Sequence, residues 1–476
     1  GLSIGTYNVA ASDPQKLGLD PSLQSMLKST PLPNNFAIGD GLNTAGFSFT
    51  PLASERQHDQ TIKIDHVVND KSTVYGRLVW GRDDSLCDIV NSGQPVFPGG
   101  PCQVNTLRGP RNFAFNWRFT PNARMTNELV VGQNRYDPIF GSPSSLEKIS
   151  IASAPVSTTW QYYFGNQRVV STWQVVDNFA YFRGAHSFKF GFNLRRVREE
   201  DQRGSVAGLN AAEEINFSTS INTVDPATFG LAPDLNTSFD RPNFQSHINF
   251  LLGRVGQIDR GFVAKNDQWT KSTFLFDTRY PEYEFYGQDT WKIRPNLSVD
   301  YGLRWEIRLS PRTPSNNIKV PDRTIVAGAA PANDVKWVPG DLFKNQMGNF
   351  GPSIGFAWDP FKTGKTSVRG NYRMAYDRIN MFVIASTILP NLPGGAYPAI
   401  NQEFGQAGGR LRNLPELNPP SAKPSTLTQP ASYAAASNTV IDPNLKTPRT
   451  HQWSFNIQRE IAKNTVLDIA YIGRRG

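Results

Sequence analysis

The feature that most constrains this chain is a rhythm. Segments that alternate apolar and polar residues come in pairs, close together within a pair and far apart between pairs. The pairs are TIKIDHVV with STVYGRLVWG, NFAFNWRF with TNELVVGQNRY, TWQVVDNFAYF with HSFKFGFNLRR, YEFYGQDTWKI with LSVDYGLRWEI, GPSIGFAWD with TSVRGNYRMAY, and HQWSFNIQRE with TVLDIAYIG. The joints carry turn residues such as Asn69-Asp70-Lys71, Gly184-Ala185 and Pro295-Asn296, as hairpins require. Between pairs lie long Gly-, Pro-, Ser- and Asn-rich stretches: 82–110, 137–168, 197–281, 310–349 and 379–450.

In an up-and-down meander this alternation puts every short turn at one end and every long loop at the other. That is the plan of a membrane β-barrel with short periplasmic turns and long extracellular loops. A β-sandwich more often mixes gap lengths at both ends. The patterned segments run to roughly 9–11 residues, the length that crosses a bilayer at a tilt.

Each segment has one greasy and one polar parity. Phe188, Phe190, Phe192 and Leu194 alternate with Ser187, Lys189, Gly191, Asn193 and Arg195. Phe113, Phe115, Trp117 and Phe119 alternate with Ala114, Asn116 and Arg118. Val299, Tyr301, Leu303 and Trp305 alternate with Asp300, Gly302, Arg304 and Glu306, and Val368, Tyr372 and Met374 with Arg369, Asn371 and Arg373. Alternation alone leaves open whether the rings meet a protein core or lipid; gap rhythm and strand length favour lipid. The polar parity then faces a lumen, with Arg77, Arg118, Lys189, Arg195, Arg304, Arg369 and Arg373 on it, contacting a domain within the lumen, guiding a substrate, or forming a solvated wall with charges paired to Glu128, Asp300 or Glu306. Asp177 and Asp289 break the pattern by sharing the parity of Trp173 and Trp291, through a bulge or a place near the membrane edge.

Composition agrees with an all-β chain. Of 476 residues, 38% are hydrophobic, and mean hydropathy is -0.43. The longest apolar run, MFVIASTIL from Met381, is about half the roughly 18 residues of a spanning helix. Thirty Phe, 15 Tyr and 10 Trp supply enough apolar surface to argue against disorder. The net charge of +9 is spread along the chain, so no nucleic-acid partner is expected. Cys87 and Cys102, in one Gly/Pro-rich loop, are expected to form a disulfide in an oxidising compartment. In the first segment, Asp20 precedes Pro21, with Leu23, Met26 and Leu27 at helical spacing, which predicts a short helix. A second helical turn is expected around Phe250, and a hairpin within 255–276.

Longer stretches resemble TonB-dependent outer-membrane receptors, specifically the Oar-like group with a carboxypeptidase-regulatory-like domain. They include KIDHVVNDKSTVYGRL, GAHSFKFGFNLRR, FLLG, YGQDTWKIRPNLSVDYGLRWE, NFGPSIGFAWDPFKTGKTSVRGNYRMAYDR, and QWSFNIQRE followed by TVLDIAYIGRRG, with PLPNN and GLNT near the start. They run over most of the chain, in the family's order. One departure is Ser353, where an arginine is expected after the proline. The resemblance implies an antiparallel transmembrane barrel of 22 strands, of which about 12 are counted here, that encloses a plug domain and engages the TonB–ExbB–ExbD system. No plug-like or TonB-box segment is visible, so the chain reads as the middle part of a barrel. Residues 1–60 are expected as an extracellular loop with a short helix, and 61–476 as barrel strands and loops. The resemblance implies transport of an unidentified ligand across the outer membrane, amid outer-membrane lipid and with no cofactor.

No catalytic or metal constellation emerges. GLSIG, at Gly1–Gly5, matches G-x-S-x-G but lacks the strand before it and helix after it. GKT at Gly364–Thr366 lacks the first glycine of a phosphate loop, since residue 359 is Asp359. The five histidines show no metal-ligand spacing, and His186 sits at a tight turn, where exposure to solvent is expected. Asp83, Asp84 and Asp88 lack the Gly and Glu positions of a calcium loop. The long loops, including 379–450 with Tyr397 and Phe404, are the expected seat of recognition. No enzymatic activity is expected. The rival readings are a surface or secreted β-rich binding protein and a barrel enzyme.

Overall fold

The computed structural model describes residues 8–13, 15–39, 44–141, 149–152, 165–206, 209–210, 213–217, 240–266, 268–314, 318–323, 337–384, 396–403, 409–421, 423 and 441–476. Twelve long strands form one meander. They are β1 (Ser54–Asn69), β2 (Ser72–Leu86), β3 (Arg111–Asn122), β4 (Met125–Tyr136), β5 (Asn166–Arg183), β6 (His186–Arg203), β7 (Phe274–Arg294), β8 (Leu297–Arg308), β9 (Gln346–Trp358), β10 (Thr366–Tyr376), β11 (Arg449–Ala462) and β12 (Thr465–Arg475). Each pairs antiparallel with its sequence neighbours, with no crossover. Among the described residues no helix is long and apolar enough to cross a membrane.

All six expected hairpins form. Arg183 pairs with His186, so Gly184 and Ala185 make a two-residue turn, and Gly184 takes φ +58°. Glycine adopts that left-handed backbone without a Cβ clash. Arg294 likewise pairs with Leu297 around Pro295-Asn296, and Ala462 with Thr465 around Lys463-Asn464. Asp359 closes the longer β9–β10 turn by accepting from the backbone N–H groups of Phe361 and Gly364.

The register carries the alternation across the sheet. Ile64, Gly76, Phe115, Val131, Val175, Leu194, Tyr283 and Ile307 are cross-strand partners on one face. Asp65, Tyr75, Asn116, Val130, Val176, Asn193, Glu284, Glu306 and Asn349 form a row on the other. On the polar face Tyr286 lies over Gly191, where a Cβ would sit 2.5 Å from the ring, and its hydroxyl donates to Asn178 at 2.8 Å.

Three findings differ from the sequence reading. β1 starts at Ser54, inside the segment 1–60 expected as loop. β6 and β7 run past 197 and 281, to Arg203 and back from Phe274. Ion pairs hold this extension: Arg198 bridges Asp277 at 2.9 Å and Glu200 at 2.6 Å. His186 is half-buried rather than solvent-exposed, because Asp289 and Trp291 of β7 cover it.

Above the strands the loops build a compact layer of their own. Helix α1 (Pro21–Ser29) is capped by Asp20, whose side chain accepts from the N–H groups of Ser22 and Leu23. Helix α2 (Asp240–Leu252) lies beside it, longer than the turn expected around Phe250. Gln257–Lys265 pairs with Gln268–Thr270 in the expected hairpin, and also with Glu213–Asn216 and Ala396–Glu403. Leu23, Met26, Phe217, Phe250, Phe262 and Trp269 fill a buried core between these pieces. A second cluster, with Val197, Tyr280, Leu342 and Phe343, joins loops to strand tops.

Candidate functional site

The densest polar constellation lies on the polar face of β6–β9. Alternation in the EYEF segment of β7 sends Glu282 and Glu284 to this face, opposite Arg195 and Asn193 on one side and Arg308 and Glu306 on the other. Arg195 donates to Glu282 Oε2 at 2.9 Å, and Arg378, from the loop after β10, donates to Oε1 at 2.7 Å. Glu284 accepts from Asn193 and Arg308, each at 3.0 Å, and from Arg304. Glu306 accepts from Arg304 Nε at 3.0 Å and Arg308 Nη2 at 2.6 Å. Glu282, Glu284, Glu306 and Arg308 are all buried. Burying such charged groups is costly unless they are paired this closely. The network welds three strands and one loop and leaves Arg308 Nε and Nη1, and Asn349 Nδ2 on neighbouring β9, as buried donors without a partner.

The seven residues expected on the polar parity all share this face by register. Only Arg195 and Arg304 join the network. Arg118 pairs with Glu128 at 3.0 Å. Arg77 donates to Asn112 at 3.1 Å, Arg369 to Ser367 at 3.0 Å and Arg373 to Gln452 at 2.7 Å. Lys189 is exposed, in a row with Gln288, Gly302, Ser353 and Arg373. Of the expected acidic partners, Glu128 and Glu306 pair with arginines, while Asp300 accepts from Thr290 at 2.6 Å. Alternation made Glu282, Glu284 and Arg308 legible in principle, whereas Arg378 arrives from a loop and left no periodic signal.

Cys87 and Cys102 form the expected disulfide. Beside it Asp88 is buried and accepts from Val90 N–H at 3.0 Å, Asn91 at 2.7 Å and Thr106. Burial opposes its charge, yet these hydrogen bonds hold its carboxyl below the usual carboxylate range. Arg108 bridges Asp83 at 2.7 Å and Asp88 at 3.3 Å, and Arg82 pairs with Asp84 at 2.8 Å, so each of the three acids has an arginine. In the loop layer, buried Arg410 donates to Asp13, Gln15 and the Leu252 carbonyl, tying the N-terminal segment to α2. Tyr397 pairs with Phe262 in the loop sheet, while Phe404 and GLSIG lie outside the described residues.

Register puts the acidic side chains of Asp177 and Asp289 among apolar ones. Asp177 accepts from Asn127 at 2.9 Å. Asp289 accepts from Tyr301 at 2.9 Å and contacts His186 Nδ1 at 2.6 Å. The β6–β7 ladder is regular through Asp289, which excludes a bulge there.

A wall of one apolar and one ion-paired face, with short turns at one end and structured loops at the other, matches one family profile. The profile is described as outer membrane beta barrel domain and covers residues 7–476. The chain belongs to this family. It is therefore a barrel domain of the outer membrane, with an antiparallel up-and-down sheet. Among solved structures, the barrel domain is similar to the outer membrane transporter YddB from Escherichia coli, at 12% identity and a TM-score of 0.42, covering 88% of this chain and 46% of that one. It is similar to the Serratia marcescens hemophore receptor HasR, at 10% identity and TM-score 0.43, covering 88% and 45%. It is also similar to the siderophore receptor PirA from Pseudomonas aeruginosa, at 9% identity and TM-score 0.40, covering 88% and 46%. The barrel domain thus spans less than half of each of these proteins. No curated protein matches it.

Proposed function

We propose that this barrel domain is part of a TonB-dependent active transporter of the Oar-like group. The supporting observation is the pairing of an apolar face with a polar face carrying the Glu282–Glu284–Glu306 and Arg195–Arg304–Arg308–Arg378 network. In a barrel, such a face lines an aqueous lumen or rests against a plug. The twelve strands are then part of a barrel of about 22, the number the sequence resemblance implies. The short turns are periplasmic; the segment before β1 and the other long loops are extracellular. Arg77, Arg118, Lys189, Arg195, Arg304, Arg369 and Arg373 face the lumen.

Transport needs no covalent chemistry from these residues. A ligand (a siderophore, glycan or peptide) docks on the loop layer and plug. Energised TonB then draws on the plug, and the ligand passes along the charged wall. The ion-paired strands stay fixed because each carboxylate has two or more partners that would have to part together.

The test uses the intact protein in cells. A knockout should lose uptake or growth on at least one ligand of a siderophore, glycan and peptide panel. Collapse of the proton gradient should stop that uptake, and the intact protein should co-purify with the periplasmic domain of TonB. Gradient-independent behaviour without TonB capture would overturn the transporter reading and favour a surface binding protein.

A further inference from the structure

The apolar face contains a groove that lipid-facing strands do not require. It has a volume of about 720 Å³ and runs over β6–β10. Gly287 forms its floor: a Cβ there would meet the Phe190 ring at 3.3 Å. Phe190, Leu303, Pro352 and Ile354 line its sides. Asp289 closes it at the end nearer the short turns.

Asp289 is unusual for such a place. It is 4% exposed, and its Oδ2 is engaged by His186 and Tyr301. The backbone N–H of Ser187 flanks the carboxylate, and Oδ1 is buried without a hydrogen-bond partner. His186 stacks between Phe188 and Trp291, at ring separations of 5.4 and 5.3 Å, so the carboxylate is held in a rigid aromatic frame. A buried carboxylate oxygen without a donor is costly, and the cost is relieved by a donor that reaches it from the groove Asp289 lines.

Depth fits that donor. Asp289 precedes Arg294, the last residue of β7, by five positions. At a strand tilt near 45° this is roughly 12 Å of height, a few Å past a headgroup layer of about 5–8 Å, a short dip for a headgroup ammonium. Gly287, Leu303 and Pro352 lie one row further into the bilayer.

We propose that this groove is a binding site for one phospholipid with a primary ammonium headgroup. The ammonium donates to Asp289 Oδ1, and an acyl chain lies over Gly287 between Phe190 and Leu303. Charge complementarity selects the head: an anionic headgroup is repelled by Asp289, and a trimethylammonium head carries no N–H to donate.

Native mass spectrometry of the intact protein, with added phosphatidylethanolamine, phosphatidylglycerol or phosphatidylcholine, tests this. Phosphatidylethanolamine should be retained roughly tenfold over the other two, the scale of one charge-assisted hydrogen bond. Asp289→Asn should abolish the headgroup preference, and Gly287→Ala should weaken retention of all three lipids. Equal retention by the unmodified protein would overturn the site, and needs no variant to fold. An unchanged preference in Asp289→Asn, or a dimer that buries the groove, would overturn it too.

Discussion

The strand wall and the loop layer handle apolar side chains in opposite ways. In the loop layer Phe217 and Phe262 are 0% exposed, enclosed by α1, α2 and the loop strands. On the wall Phe190 is 48% and Ile354 56% exposed, although both sit in regular, fully paired strands. The loop core is a protein interior that works in water. The wall has no interior: its aromatics touch one another along the sheet and leave their outer surfaces to lipid. A chain of modest mean hydropathy supplies both, because alternation spends only half of each strand on the membrane.

Four experiments would break or sharpen that contrast. The largest effect is expected from Arg410→Ala. It strands buried Asp13 beside α2 and should cost the loop layer about 3–5 kcal/mol. Hydrogen exchange should speed up over residues 8–29 and in α2, while β6–β8 stay protected. Exchange spreading equally into the strands would mean that the two regions are one cooperative unit. Replacing both Cys87 and Cys102 with Ser should destabilise only the segment around Asp88, by roughly 3 kcal/mol in the chain-entropy view. Limited proteolysis between β2 and β3 reports it.

Phe190→Arg should cost about 2 kcal/mol, at the lower end of the range for a cation on the lipid face because Phe190 is off the midplane. Titrations of folding into vesicles measure it, and Lys189→Arg on the polar face should be neutral. The smallest effect concerns Glu199, at the top of β6, level with the Arg198–Asp277 ion pairs and so outside hydrocarbon. Burial, then the neighbouring Asp201 charge, raises its carboxyl to about 7, against the pull of Arg168 and Arg203. The folded chain keeps this proton to higher pH than the unfolded chain does. Stability is therefore full below the unfolded value and declines as pH rises through about 7. Glu199→Gln should flatten that decline, read as the midpoint of thermal unfolding between pH 5 and pH 8.

The wall was almost wholly legible in the sequence, because a period of two survives every local irregularity and fixes both face and register. Turn chemistry located the hairpins, and the Asp20-Pro21 signal located α1. The loop-side ends of β6 and β7 were not legible: residues there, such as Arg198 and Asp277, read as loop because they are charged. They are strand because they pair across the ladder. His186 misled for a similar reason, since its partners Asp289 and Trp291 lie about a hundred residues away. The loop core was invisible, as it joins segments near residues 23, 217, 262 and 417 with no shared period. In the charged network the strand residues follow alternation, and Arg378 does not.

The central claim is that the Phe190 face meets lipid and the Lys189 face meets water. Spin labels at Phe190→Cys and Lys189→Cys in the intact, bilayer-reconstituted protein test it most directly, because both native cysteines are in a disulfide. Collisional relaxation should be dominated by oxygen at 190 and by a water-soluble nickel chelate at 189. Nickel-dominated relaxation at 190, or protection from both reagents there, would contradict the account.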